Sequence, residues 1–354
     1  MRKVQTAILE GKEIFVGLED SVRTWKVCVR ANKMIVHEAS MPAQYDNLKG
    51  YLMNRYPGCN VQVMYEAGFS GFGLSDALIS DGFKCVVTPP NKVTEEKSNR
   101  VKNDKVDARR LAKNLENQDY CACFVPSLEL RADRQVSRSI IQVDKVLQAT
   151  KNRLRSLLYF HGIQAETENK RWYVSDYKRL RELRLTPPLQ FCIDESLKQL
   201  DESLRAKKAF RAMLFQIGKK ECYRQTVAII ASMPGFGKYT AIRLALELGN
   251  VQERFRAGRS LASFMGLTGS ESSSGDQVHR GSITKQGQGF YRHWFVEGAW
   301  VAIKYDAALM DKFQRVWRHS GSKQKAIVAV ARKMAVRMWS LLCRNEMYVC
   351  DIAA

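Results

Sequence analysis

The chain has 354 residues and a formal net charge of +21, from 57 lysine and arginine residues against 36 aspartate and glutamate residues. A hydrophobic content of 45% with 26% charged residues is typical of a folded globular protein and excludes an intrinsically disordered chain. No apolar stretch is long enough to cross a bilayer, and charged residues interrupt any signal-peptide pattern at the N-terminus. We therefore expect a cytoplasmic protein that does not engage a membrane.

The positive charge indicates the class of partner. A surplus of this size, spread over several segments, favours a protein that covers phosphate backbone, although a basic chain with no such partner is the alternative. The nine cysteines show no CxxC pair, and several lie in apolar runs. We expect them to be reduced core residues, neither zinc ligands nor a disulfide framework.

The N-terminal third predicts an α/β layer. Apolar alternation indicates strands at residues 13–19, 24–30 and 34–39, a helix that begins at Pro42, a strand that ends at Glu66, a helix at 74–80 and a strand at 83–87. Strands that alternate with helices after an initial meander describe an α/β domain.

Acidic residues end two of these strands and open the next helix. Glu19 and Glu66 close apolar runs, and Asp104 and Asp107 lie three apart on one face of a helix predicted at about 104–117. Carboxylates crowded together are costly to hold ionised unless a cation lies between them, and a divalent metal is the usual solution. For the helix alone, a salt-bridged surface helix with Asp104 near its N-terminus is an equal alternative.

The middle of the chain predicts long helices. Residues 131–159 have apolar side chains at alternating spacings of three and four, which is the seam of a coiled coil. This seam could contact a second subunit or pack within its own chain. Pro187 and Pro188 are expected to break the chain before helix resumes at about 192–224. A second helical pattern spans about 190–215, and together these helices would form a hairpin.

The C-terminal third contains two further motifs. Residues 231–240 predict a helix-hairpin-helix turn, whose glycines let backbone N–H groups approach a phosphate; a plain connector is the alternative. Residues 269–287 form a small, polar, glycine-rich tract, which we predict to be a functional loop with hydroxyl nucleophiles beside Arg280 and Lys285. An amphipathic helix is predicted at 323–343.

The order of these motifs resembles that of a known family. VGLE at 16–19, YEAG at 65–68, DKVDARRLAK at 104–113, SMPGFGKYTA at 232–241, GLTGSESSSG at 266–275 and RGSITKQGQ at 280–288 together resemble the DEDD transposases of the IS-one-ten (IS110) family of insertion sequences. The resemblance covers nearly the whole chain. Its most specific parts are the DxxDAR helix and the RGxITKxG tract.

The resemblance implies an architecture in three parts. Residues 1–125 would form an α/β RuvC-like domain of ribonuclease-H type, and residues 126–226 a long helical coiled-coil connector. Residues 227–354 would form a mostly α-helical transposase domain with the helix-hairpin-helix element and the serine loop.

The resemblance also assigns a catalytic site. Glu19, Glu66, Asp104 and Asp107 would be the catalytic acids that hold Mg²⁺, and Ser274 would attack DNA to form a covalent phosphoserine. The family's first acid is normally aspartate, so Asp20 is an alternative to Glu19, although adjacent strand residues point to opposite faces. Ser272 and Ser273 are alternatives for the nucleophile.

The implied partners are nucleic acids and further copies of the chain. The protein would be a bacterial recombinase guided by a structured non-coding bridge RNA that pairs with donor and target double-stranded DNA, assembling as a dimer and, during synapsis, a tetramer. The candidate nucleic-acid-binding residues are Lys102, Arg109, Arg138, Lys238, Arg280 and Lys285. A metal-dependent junction resolvase that uses activated water, and a non-catalytic RNA-binding scaffold, are the alternative functions.

Overall fold

The computed structural model describes residues 10–90, 103–163, 172, 174–274, 277–284 and 287–350, with the side chains of 174 and 271–280 outside that description. The chain divides into two compact units, Met1–Val125 and Pro126–Ala354. Within the part of the chain that the structure describes, no helix combines the length and apolarity needed to span a bilayer.

The first unit is built on a mixed sheet. Its strands are β1 Glu13–Asp20, β2 Thr24–Ala31, β3 Met34–Pro42, β4 Asn60–Glu66 and β5 Lys84–Thr88, in the order β3-β2-β1-β4-β5. β1, β4 and β5 are parallel, whereas β2 is antiparallel to both of its neighbours. The helices are α1 Tyr45–Arg55, α2 Gly73–Ser80 and α3 Asp104–Glu116. The expected α/β layer is confirmed, but the first helix begins at Tyr45 because Pro42 is still paired in β3.

The two faces of the sheet follow from the alternation of side chains along the strands. On β1, Ile14, Val16 and Leu18 are fully buried in one core, which also contains leucines of α1 and α2. The opposite face carries Phe15 of β1 and Met64 of β4, which pack on α3. The odd-numbered residues of β1 therefore face α3.

The second unit is mainly helical. Its elements are α4 Leu128–Phe160, α5 Val174–Arg181, α6 Pro187–Ile217, α7 Glu221–Ser232, α8 Lys238–Leu248, α9 Val251–Arg254, α10 Gly258–Phe264, the strands β6 Gly269–Ser274 and β7 Gln277–Ile283, α11 Gly289–Ala302, α12 Ala307–Ser320 and α13 Lys323–Arg344. Its main core consists of buried residues of helices α7 to α13, joined by side chains of α4 and α6.

The prediction that Pro187 and Pro188 break the chain before the next helix is wrong. Both prolines lie in the first turn of α6. Proline has no N–H to donate, and the first turn has no partner for one, so proline fits there without loss. Of the predicted coiled-coil seam, Ile140 and Leu154 are fully buried inside their own chain, against the main core and the α4–α6 packing respectively.

The serine tract is not the loop that its composition predicts. β6 and β7 form an antiparallel hairpin in which Ser272 pairs with His279 and Ser274 with Gln277. Small polar residues have a low intrinsic strand propensity. The backbone pairing between the two halves of the tract therefore accounts for the two strands.

Candidate active site

The predicted acids Glu19 and Glu66 lie at the same end of the sheet. β1 and β4 are parallel, and their register runs as far as Leu18 opposite Tyr65. The next residue on each strand is Glu19 or Glu66, and both strands continue to those residues. Because paired residues of neighbouring strands point to the same face about 4.8 Å apart, both carboxylates lie on the face covered by α3.

Helix α3 approaches this face closely. Gly17 of β1 faces it, and a Cβ on Gly17 would lie 2.1 Å from the Ala108 carbonyl oxygen and 2.3 Å from the Ala112 nitrogen. The Asn103 side chain caps the helix by accepting a hydrogen bond of 2.9 Å from the Val106 N–H. The absent side chain of Gly17 lets the helix lie against the strand, and the cap stabilises its first turn.

The acids of α3 then join those of the strands. Asp104 is exposed and Asp107 is buried. Burial, followed by repulsion from Asp107, Asp20, Glu66 and Asp104, raises the pKa of Glu19 to about 7. The structure thus brings Glu19, Glu66, Asp104 and Asp107 into one cluster in which a further positive charge would stabilise the ionised carboxylates.

Asp20, the alternative first acid, belongs to the opposite face of β1. It is only 7% exposed, and among the described residues its Oδ2 atom has no hydrogen-bond partner. Burial raises its pKa, an effect that a hydrogen bond with Ser70 partly opposes. Because side chains alternate along a strand, Glu19 points to the same face of the sheet as Gly17, towards the acids of α3, whereas Asp20 points to the opposite face.

A cation from the chain itself also lies in the cluster. Arg110 Nη2 is 2.9 Å from Glu66 Oε1 and 3.0 Å from Asp107 Oδ1. Among the described residues, no three donor side chains are gathered closely enough to hold a metal ion. The four carboxylates are nonetheless hard oxygen donors of the kind that Mg²⁺ prefers, and burial together with repulsion among the acids raises the pKa of Glu19. The donor set therefore fits a divalent cation in its chemistry.

The other candidate residues have varied environments. Arg109 pairs with Glu38 through two nitrogens, and Arg138 pairs in the same way with the buried Glu247. Lys238 is the exposed first residue of α8. The remaining candidates are Lys102 and Lys285, which lie outside the described residues, and Arg280, described only as a backbone position in β7.

Ser274 is the last residue of β6, and it pairs with Gln277 of β7. Only its backbone position is described, as for Ser272 and Ser273. All three lie in the second unit, whereas the acids belong to the first.

The helix-hairpin-helix prediction falls on α7, α8 and the turn between them, which pack together. Gly235 in this turn has a φ of +91°, and a Cβ there would lie 2.2 Å from the Gly298 carbonyl oxygen. Only glycine combines that backbone conformation with so close an approach.

The structure also contains a basic groove that the sequence did not predict. Helices α12 and α13 pack together and form a groove whose charged lining is entirely cationic: Lys312, Arg315, Arg332 and Lys333. Burial, together with the charges of neighbouring cations, lowers the pKa of Lys333. Such a groove attracts polyanions.

Two residues that shape the acidic cluster were given no role from the sequence. Gly17 interrupts an apolar strand, which is a known sign of close backbone approach. Arg110 lies three residues after Asp107 on the same helix face, a spacing that allows an ion pair. The glycine does not reveal which element approaches the strand, and the spacing of Arg110 does not reveal that Glu66 is its second partner.

Comparisons with known proteins match both units. The sequence model of the IS110 DEDD transposases matches residues 21–162, and that of the transposase IS116/IS110/IS902 family matches residues 227–315. Glu66, Asp104 and Asp107 fall within the first match and Ser274 within the second, while Glu19 lies just before the first.

Individual relatives agree with these matches. A putative transposase, y4rJ, of Sinorhizobium fredii is 27% identical over 92% of this chain and 91% of its own length. The transposase for insertion sequence element IS1111A of Coxiella burnetii is 27% identical over 80% of this chain and 75% of its own. The transposase for IS1533 of Leptospira borgpetersenii is 26% identical over 68% and 70%. The chain belongs to the IS110 family of DEDD transposases.

Proposed function

We propose that the protein is an RNA-guided DNA recombinase that cuts and rejoins strands through a Mg²⁺-dependent acidic site and a serine nucleophile. As an IS110-family transposase it is an enzyme that cuts and rejoins DNA. The guide would be a bridge RNA that pairs with donor and target DNA, as the resemblance implies.

The observation that carries the proposal is the acidic cluster of the first unit. Two strand ends and one helix start deliver Glu19, Glu66, Asp104 and Asp107 to the same place, with a raised Glu19 pKa. A structural role alone gives no reason to crowd four carboxylates at the edge of a sheet, because their mutual repulsion destabilises the fold. A divalent cation bound there would supply Lewis-acid polarisation of the scissile phosphate.

The chain's own residues have separate tasks in this proposal. Ser274 Oγ attacks the phosphorus, the P–O bond to the departing strand breaks, and the departing oxygen leaves as a hydroxyl with the serine proton. A strand hydroxyl later attacks the phosphoserine and returns the proton to Ser274. Arg280 and Lys285, which follow the serine in sequence, would stabilise the negative charge on the phosphorane oxygens.

The charge of +21 supports nucleic-acid partners. The cationic groove between α12 and α13 and the exposed Lys238 at the start of α8 offer phosphate contacts in the second unit. We propose a homodimer that pairs into a tetramer during synapsis. The three-part division at residues 125 and 226 remains part of this proposal.

The serine assignment is tested with Ser274→Ala in a recombination assay that contains the bridge RNA and both DNA partners. We expect loss of recombination and of a covalent protein–DNA adduct, with Ser272→Ala as the matched control that retains both. An adduct that maps to Ser272 or Ser273 would reject the assignment to Ser274. Hydrolysed DNA ends with no adduct would favour the resolvase that uses water.

The metal site is tested with Glu66→Gln and Asp107→Asn. Both variants should lose DNA cleavage while retaining the wild-type affinity for the bridge RNA, because the acids are not needed to hold RNA. EDTA should have the same effect on the wild type. Cleavage that persists in EDTA would contradict the metal-dependent mechanism.

A further inference from the structure

Arg110 occupies a particular position in the acidic cluster. It lies one turn after Asp107 on α3, and its side chain is 19% exposed. A single atom, Nη2, contacts both Glu66 Oε1 at 2.9 Å and Asp107 Oδ1 at 3.0 Å. The guanidinium therefore lies between a strand acid and a helix acid.

These contacts compete with the metal site on which the proposed function depends. Mg²⁺ binds its oxygen ligands at about 2.0–2.1 Å, so two oxygens on one ion lie much closer together than two oxygens that share a nitrogen at about 3 Å. Arg110 thus acts as a spacer between Glu66 and Asp107. This agrees with the finding that the described donors are not gathered at metal-ligand distance.

Charge acts in the same direction. A guanidinium cannot lose its proton in a protein, so it remains a full positive charge beside any cation that these two acids bind. A like charge at such distances disfavours the second cation by a factor of roughly ten to a thousand.

We propose that Arg110 is an internal counter-cation that neutralises Glu66 and Asp107 and that a divalent metal must displace from them. The residue is a positioning residue and not a catalytic one. It sets the metal concentration at which the site fills, and it keeps the two acids together until then. This inference rests on the proposed cation site and adds a residue that opposes its occupation.

Arg109 provides a matched control. It is the preceding residue of the same helix and, like Arg110, pairs with a carboxylate. Its partner is Glu38, which it contacts through two nitrogens and which is not one of the four acids. Replacing Arg109 removes the same charge and one ion pair from α3 without freeing Glu66 or Asp107.

The experiment measures Mn²⁺ binding to the full-length protein without nucleic acid, by the loss of the free Mn²⁺ electron paramagnetic resonance signal. We expect Arg110→Gln to bind Mn²⁺ about tenfold or more tightly than the wild type, and Arg109→Gln to match the wild type. Arg110→Lys should show a smaller gain than Arg110→Gln, because the ammonium keeps the positive charge but lies on a more flexible side chain than the planar guanidinium. In EDTA, Arg110→Gln should unfold at a lower temperature than Arg109→Gln, and added Mn²⁺ should narrow that difference.

Glu66→Gln separates failure of this inference from failure of the proposed function. If Glu66→Gln abolishes the Mn²⁺ site but Arg110→Gln binds no more tightly than Arg109→Gln, the counter-cation role is overturned and the metal site stands. If neither the wild type nor Arg110→Gln binds Mn²⁺, or if Glu66→Gln leaves Mn²⁺ binding unchanged, both are overturned. If Arg110→Gln does not fold, Arg110→Lys decides: a gain over the wild type supports the inference, and no gain overturns it.

Discussion

Replacing Gly17 with alanine tests whether the close approach of β1 and α3 assembles the acidic cluster. The added Cβ would lie 2.1 Å from the Ala108 carbonyl oxygen and 2.3 Å from the Ala112 nitrogen. Ordinary contacts of a Cβ begin at about 3.4 Å, so α3 would have to move away from the sheet by about 1.3 Å (3.4 − 2.1). Neither partner can rotate away, because both are backbone atoms of a helix.

The expected effects are large for one methyl group. Overpacking in a core typically destabilises by about 1–3 kcal/mol, and a backbone clash with no rotamer escape belongs at the upper end, at about 3 kcal/mol. The shift also separates Asp104 and Asp107 from Glu19 and Glu66. A displacement of about 1 Å in a catalytic group can lower the rate by roughly 100-fold.

Urea denaturation and a DNA cleavage assay measure the two effects, and Gly50→Ala is the control. Gly50 lies inside helix α1, where a Cβ meets nothing within 4 Å, so alanine should stabilise the protein by about 0.5–1 kcal/mol. If Gly17→Ala were as stable and as active as the wild type, the packing of α3 on β1 would not hold the acids together, and this reasoning would be refuted.

Three further predictions concern the acids and the cysteines. Glu19→Gln should abolish cleavage whereas Asp20→Asn should retain most of it, because alternation places only Glu19 on the face of α3; the reverse pattern in the cleavage assay would favour Asp20. Glu247→Gln should destabilise the protein by about 2 kcal/mol in urea denaturation, since Glu247 is 1% exposed and its carboxylate loses charge-assisted hydrogen bonds from Arg138 and Tyr291, while the half-exposed Arg138 stays solvated; a change below about 0.5 kcal/mol would contradict that role. Cys28 should not react with Ellman's reagent at pH 8 in the native protein, because it is fully buried and burial raises its pKa to about 11; rapid labelling, located by mass spectrometry, would disprove this.

The expectation that the cysteines are core residues holds for Cys28 but not for all nine. Cys121, Cys192 and Cys222 are exposed. An apolar run predicts burial only where the alternation of the element is clear, and these residues lie on helices with mixed faces or in an irregular segment.

The amino-acid sequence by itself determined the local elements of this protein and the order of its acids. Apolar alternation placed the strands of the first unit to within a few residues, and helical periodicity placed α3, α4 and α13 in the same way, because these patterns reflect which side of each element is buried. The resemblance to the IS110 family needed only the motifs in their order.

Tertiary structure decided what those elements bring together. The parallel register of β1 and β4 puts Glu19 level with Glu66, and the missing side chain of Gly17 lets α3 bring Asp107 beside them. Arg110 likewise links Asp107 of its own helix to Glu66, which is distant in the chain. The serine tract pairs into a hairpin although its composition is unremarkable. Such contacts depend on register and on the distance between elements, which local residue patterns do not encode.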